Sequence, residues 1–427
     1  MNIDRKTFVR HLGVGALGVL STSARAADLP AQTPSLPVFD ADHSDAFWRK
    51  VRELYPLEDD PLYLNTGGLG PASQPVLDTV LSTMRRLQEH SETGHGLFDP
   101  AREVVARFLG AKPDEVCFTR NATEANSIIA AGLALKASDE VIFDSHAHPG
   151  GSFPWFNQVK QRGVVVRLFE PDSAGDEANL ERIRKQITPR TRVIQVSHLT
   201  CTFGLVLPVQ AIAELARSRS IWFHIDGAQA VGMIPLNLQR IGCDSYAISG
   251  HKWLGGPHET GALYIRQAQL DAVAPTGIGA YSGELLHLPG ELTYRAAASR
   301  HEYGTRNAGL VVALAEAVRL QEAIGRDRIA AHGRELGTQL IEGFRGIAGI
   351  EVLTPEAVQL RGSMITIRHE RATAAKLFDF LLKQHRLRCR PVTEQGLEAV
   401  RISTHVFNSR ADCARVIDGV RDAARTL

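Results

Sequence analysis

Residues 245–257 read SYAISGHKWLGGP: the apolar run Tyr246-Ala247-Ile248 ends in small residues and a lysine, Lys252, follows almost at once. A short run of this kind bounded by turn residues reads as a buried strand. Lysine at such a strand's end is ordinarily solvated. Flanked by glycines and preceded by His251, it is also a candidate for an amine held in a cleft. A second segment, IWFHID (221–226), ends in the same way on Asp226 and continues Gly227-Ala228-Gln229. The interval between the two polar groups (252 − 226 = 26 residues) is long enough for one crossover connection. The segments can therefore be neighbouring parallel strands that place an amine and a carboxylate at one edge.

Outward from this pair the pattern repeats. The runs VCFT (116–119), EVIFD (140–144), VVVRLF (164–169), RVIQVSH (192–198) and ALYI (262–265) are separated by amphipathic stretches such as 124–135 and 208–216. Strands alternating with helices predict an α/β fold with a mostly parallel sheet covered on both faces. Ligands of such sheets bind outside the carboxyl ends of the strands, the rim where Asp226 and Lys252 fall. From about residue 329 the pattern changes to a helix (329–345), strands near 350–352 and 364–366, a helix (372–385) and a closing strand and helix. The expected organisation is an export signal at 1–26, a linker and N-terminal arm at 27–75, a large domain at 76–328 and a small α+β domain at 329–427.

The chain has 427 residues, 44% hydrophobic and 22% charged, with a formal net charge of +1. That size supports two packed domains. The balanced charge gives no global field for nucleic acid, so a small molecule or peptide is the expected partner. The basic start Arg5 to Arg10, the short apolar stretch 11–20 and Ala24-Arg25-Ala26 read as a cleavable export signal. The apolar stretch is shorter than the ~20 residues that span a bilayer, so no permanent anchor is expected. The signal resembles the twin-arginine type with Lys6 in place of the second arginine. It points to the periplasm, with the cytoplasm as the alternative. The five cysteines show no CxxC pair and no metal-ligand spacing; they read as small buried hydrophobes, and a single periplasmic bridge stays open.

HIDGAQAVG (224–232) followed by SGHKWLGGP (249–257) is similar to the signature of class V aminotransferase-fold enzymes that use pyridoxal 5′-phosphate, among them cysteine desulfurases, kynureninases and isopenicillin N epimerase-like proteins. The resemblance extends over roughly 60–425. It implies fold type I, with a large domain built on a mostly parallel seven-stranded sheet and a smaller C-terminal domain, and a homodimer with its sites at the subunit interface. It also implies roles. Lys252 would bind the cofactor covalently, Asp226 would pair with the pyridine nitrogen, and Gln229 would donate to the phenolic oxygen. Ala122 and Thr123 in NATE (121–124) would form the phosphate loop, with Ser249 and His251 adding donors and the partner subunit's Thr305, in EYGTR (302–306), reaching in. In DSHAHPGGSFPW (144–155), spacing from Trp155 selects His148 for stacking on the ring, with His146 as competitor. Arg401, in RISTHVFN (401–408), would grip the substrate carboxylate, and His198 and Asn65 would line the substrate side. Without the resemblance, NATE is a good N-cap, Asp226 a local cap and Arg401 as much a surface residue as a ligand.

One departure narrows the chemistry. Desulfurases of this type carry a nucleophilic cysteine on the loop ahead of the carboxylate-binding arginine, whereas residues 391–400 read PVTEQGLEAV. Persulfide chemistry is disfavoured, and NATE, SHLTCTFGLVLPV, HEYGTR and RIS lean toward the epimerase-like branch. The expected reaction is transamination or epimerisation at Cα of an amino acid or peptide-borne amino-acid group. A glutamyl group on an exported peptide siderophore of the pyoverdine type is a specific expectation. A C–S lyase is the enzymatic alternative, and a non-catalytic binding protein on the same fold the non-enzymatic one.

Overall fold

The computed structural model describes residue 29 and residues 33–284 and 287–427; the expected export signal at 1–26 lies outside them. Seven strands form the central sheet: β1 (Val116–Thr119), β2 (Glu140–Asp144), β3 (Val165–Phe169), β4 (Thr191–Ser197), β5 (Trp222–Asp226), β6 (Ser245–Ser249) and β7 (Gly261–Ile265), in the spatial order β1-β7-β6-β5-β4-β2-β3. All neighbours pair in parallel except β7, which is antiparallel to both β1 and β6. Every residue of β2, β6 and β7 is buried, because helices cover both faces. That is why these strands show as unbroken apolar runs in the sequence. Each face has its own core, one including Phe118, Ile194, Phe223 and Ile248, the other Val141, Trp155, Val193 and Leu263.

Two helices that start at carboxyl ends of strands define the site. α1 (Ala122–Gly132) begins just after β1, capped by the Asn121 side chain, which accepts from the Glu124 amide. α2 (Pro149–Arg162) begins after β2, and the cap there is His148, whose Nδ1 accepts from the Gly150 amide. Proline at the first helical position suits this start, since its missing N–H had no helical partner to lose. The sequence reading placed the first of these helices at 124–135. The cap decides the true start, and the backbone turns extended at Leu133.

The C-terminal sheet contains β8 (Ile350–Val352), β9 (Met364–His369), β10 (Arg390–Val392) and β11 (Ala399–Ser403), antiparallel in the order β8-β9-β11-β10. Its core includes Leu336, Phe344, Ile367, Leu381, Ile402 and Val420. The N-terminal arm is fastened to it: Leu62–Tyr63 pairs in parallel with Leu387–Arg388, and Asn65 bridges to Ser403. The helix Ser44–Arg52 buries Phe47, Trp48 and Val51 against Ile329 and Phe407. All five cysteines are buried and free, so the open bridge is not formed. No helix among the described residues is long and apolar enough to cross a membrane.

Candidate functional site

A cavity of about 220 Å³ opens at the carboxyl ends of β4, β5 and β6, where the starts of α1 and α2 converge. Asp226 ends β5, and parallel pairing sets it against Ala247 of the neighbouring β6. Lys252 lies three residues beyond the end of β6 and lines the same cavity. The crossover read from their spacing therefore does bring the amine and the carboxylate to one edge. Gln229 and His251 complete that wall, and Ala122, Thr123, Ser249 and His148 close it from the other elements.

Asp226 is held firmly. One carboxylate oxygen accepts from Asn126 Nδ2 at 3.0 Å and the other from the Ala228 amide at 3.0 Å. Asn126 Oδ1 meets His224 Nε2 at 2.8 Å, and His224 Nδ1 meets Ser245 Oγ at 2.7 Å. Burial pushes His224 down to about 4. A neutral ring donating from Nε2 and accepting at Nδ1 leaves Asn126 only one orientation, amide toward Asp226. Neither Asn126 nor His224 was singled out from sequence. The available signal was alternation, since His224 and Asp226 are two apart on one strand and share a face.

Burial pushes the Lys252 ammonium below its ordinary value; Asp226 opposes the shift, while Arg401 and Arg390 reinforce it. The unfolded chain then holds more protons than the folded one between the lowered value and 10.5. Stability of the cofactor-free protein should rise with pH across that window. The rate of covalent cofactor loading, which needs the free amine, should rise with pH and level off below pH 10.5. A loading rate still climbing at that pH, followed by cofactor absorbance, would count against a desolvated lysine.

Backbone packing leaves no slack here. The Gly70 amide donates to the His251 carbonyl at 2.8 Å, and a β-carbon on Gly70 would lie 1.8 Å from the Lys252 carbonyl oxygen. Gly70→Ala should displace the 251–252 segment, costing about 1–3 kcal/mol of stability and lowering cofactor occupancy. Calorimetric melting with a cofactor absorbance ratio checks both.

The remaining residues fit a phosphorylated pyridine ring. The Ala122 amide at the start of α1 reaches Ser249 Oγ at 3.3 Å. His251 Nδ1 is buried with no partner among the described residues. A helix N-terminus with an unpaired imidazole beside it suits an anion. Close to Asp226, space exists only because position 151 is glycine: a β-carbon there would lie 2.8 Å from Asp226 Oδ2. Of the two histidines open in the sequence, His148 lines the cavity. His146 is occupied elsewhere, between Glu170 Oε1 (2.7 Å) and Thr202 Oγ1 (2.9 Å). Gln229 donates to the Gly67 carbonyl at 2.8 Å and accepts from Trp253 Nε1 at 2.8 Å, leaving one amide hydrogen for a ligand.

Arg401 and Asn65 meet although far apart in the chain. Arg401 is 1% exposed; Nη2 donates to Asn65 Oδ1 at 3.2 Å and Nη1 to the Cys201 carbonyl at 2.6 Å. Burial, with Arg390 adding to it, lowers its guanidinium to about 10, so it stays cationic at neutral pH. His198 is a correction. It follows Ser197 on an extended segment, and alternation turns it away: Ser197, Leu199 and Cys201 line the cavity. The His198 ring instead meets Tyr246 Oη at 2.8 Å and borders a separate cavity of about 670 Å³ that shares no residue with this one. Thr305 is exposed and does not line this cavity. Its segment is clamped on either side, by Glu302 paired with Arg102 (2.6 and 2.9 Å) and by Arg306 donating to the Phe118 carbonyl at 2.6 Å.

The family described as Aminotransferase class-V matches residues 75–416. Isopenicillin N epimerase from Amycolatopsis lactamdurans is 29% identical over 394 residues, covering 88% of this chain and 99% of that protein. A probable cysteine desulfurase from Pseudomonas aeruginosa is 32% identical over 304 residues, covering 68% of this chain and 75% of that one. Among solved structures, an apo cysteine desulfurase from Thermococcus onnurineus superposes with a TM-score of 0.79 at 25% identity, covering 88% of this chain and 98% of the other.

Proposed function

This chain belongs to the class V aminotransferase family and is a pyridoxal-phosphate-dependent enzyme, and from that premise we propose that it acts at Cα of an amino acid or peptide-borne amino-acid group, by transamination or epimerisation. The observation that carries the reading is that Lys252 and the held carboxylate of Asp226 line one cavity, with burial lowering the lysine's ammonium. Bound there, pyridoxal phosphate would supply an electron sink for negative charge at the substrate's Cα. Asp226 would keep the ring nitrogen protonated, and the start of α1 with Ser249 and His251 would hold the phosphate. His148 would cover the ring face and exclude water, and Arg401 would take the substrate carboxylate with a planar fork. Lys252 would remove the Cα proton as a neutral amine. Return of a proton to Cα from the opposite side would epimerise the substrate, whereas passage of its amino group to the cofactor, with the carbon skeleton released as an α-keto acid, would transaminate it.

The site is proposed to be completed by a second copy of the chain, and exposed Thr305 supports that arrangement. With the signal read in residues 1–26, the proposed setting is the periplasm, where a glutamyl group on a secreted peptide siderophore would be within reach. Borohydride reduction of the purified protein followed by peptide mass mapping tests the core of the reading: a pyridoxyl adduct on Lys252 is expected, and its absence in cofactor-supplied protein sinks it. Deuterium uptake at Cα, with and without an α-keto acid, then separates epimerisation from transamination.

A second reading, C–S bond cleavage, is favoured by Cys201, whose residue lines the cavity, and by the desulfurase relatives. Against it, burial pushes the Cys201 thiol up to about 11, so it is protonated at neutral pH and a weak nucleophile. Sulfide release from cysteine or cystine, with alanine or pyruvate as co-product, distinguishes this reading.

A further inference from the structure

Arg401 does not stand alone. In the antiparallel pair of β10 and β11, Arg390 is directly opposite Arg401. Opposed residues share a face of the sheet, and like charges so placed repel. Through that pairing Arg390 lies beside Arg401, and its charge adds to the downward shifts of Arg401, Lys252 and His148. Its own pairing is incomplete. Nη2 is bonded to Glu394, while Nη1 is buried with no partner among the described residues.

Glu394 is carried on a turn with unusual backbone. Gln395 and Glu398 adopt φ of 56° and 46°, the left-handed region that non-glycine residues rarely enter, with Gly396 at 67° between them. Two repelling arginines, an unsatisfied donor and a strained turn that supplies one carboxylate are costly features for a merely structural bridge. They suit a seat for an anion that comes and goes.

We infer that Arg390 is a second anion seat, held by Glu394 until substrate arrives, and that, of the free and peptide-borne substrate forms, the preferred one is a free amino acid with a further carboxylate on its side chain. The inference rests on the reading of the cavity as an amino-acid site organised by Lys252 and Arg401. Arg401 takes the α-carboxylate, and Arg390, with one fork arm already open, takes the distal one. Glu394 is displaced, and its turn moves away with it. A neutral side chain leaves the Arg390–Glu394 pair closed and gains nothing from it. A charge-assisted pair of this kind corresponds to roughly tenfold or more in affinity.

The test measures binding rather than turnover. The cofactor-loaded protein is titrated with aspartate, glutamate and 2-aminoadipate, and with asparagine and glutamine as neutral counterparts, in both enantiomers; dissociation constants are read from the change in cofactor absorbance. At least one acidic amino acid should bind about tenfold or more tightly than the amides. Arg390→Gln should bring that ratio close to one, and Glu394→Gln should raise it, because the competing carboxylate is gone. Cofactor retention on Lys252 reports that each variant is folded. Equal affinities in the unaltered protein, a preference that survives Arg390→Gln, or no binding by any of these amino acids each overturns the proposal. Failure of Lys252 to take up the cofactor is a different result, which removes the underlying reading and this inference together.

Discussion

Replacing Lys252 with alanine abolishes the borohydride-stable cofactor adduct and lowers turnover by about a thousandfold, within the ~10²–10⁴ range that a positioned acid–base group contributes. Two tasks are lost at once, covalent retention of the cofactor and carriage of the Cα proton. The variant should not melt at a lower temperature than the parent. Burial penalises the Lys252 ammonium more than Asp226 relieves it, since the net shift is downward, so removing the side chain removes a cost. Small primary amines added to Lys252→Ala should restore part of the turnover, because the cavity keeps its shape. Steady-state kinetics beside calorimetry checks the pair of outcomes. A variant that has lost activity only because it unfolds would not support the assignment, and one that retains parental turnover would sink it.

Asp226→Asn carries the second largest effect: a fall in kcat of about 10²–10⁴, with the cofactor still attached to Lys252. A group positioned for charge or proton in the transition state contributes about 10²–10⁴-fold, or about 3–5 kcal/mol at 1.36 kcal/mol for each tenfold in rate. The substitution keeps the shape but removes the charge, and its single amide oxygen can accept from either Asn126 Nδ2 or the Ala228 amide, leaving the other donor against an NH2 group. Asn126 is not free to turn over in response, because His224 and Ser245 hold its other end. The loss should therefore appear in two readouts. The pH dependence of the cofactor's absorbance should shift because the ring nitrogen loses its anionic partner, and kcat should fall far more than KM changes. An Asp226→Asn protein with an unaltered absorbance profile would show that this carboxylate does not face the ring.

The strands and the lysine–aspartate pair were legible for a definite physical reason. Strands buried on both faces are predominantly apolar, so β2, β5 and β6 show in the sequence as short, mostly apolar runs. The polar residue that ends each run marks where the chain leaves the core, and parallel strands put those ends on one rim. Helix starts were less legible. They depend on a single cap such as Asn121, or on Gly325, where a φ of 96° separates Ala308–Ile324 from a helix that begins at Arg326 rather than at 329.

The contacts that hold the site together were not legible, because each joins residues distant in sequence. Asn126 meets Asp226 across 100 residues, and Arg401 meets Asn65 across 336. His198 shows the limit sharply. Its position at a strand end marked it for the substrate side, but a shift of one residue in an extended segment reverses the face, and only the sheet's packing says which face is the cavity. The sequence alone determined the parallel α/β core and the amine and carboxylate that share its rim, because apolar period and strand-end polarity are local properties of the chain; the cofactor chemistry was implied by the resemblance of its motifs to a family. Tertiary structure removed His146 as the competitor to His148, and it alone decided that Asn126 and His224 orient Asp226 and that Arg390 stands beside Arg401. Those facts depend on which strands, helices and turns the central sheet brings together and, for Arg390 and Arg401, on pairing within the C-terminal sheet, and no local pattern records those pairings.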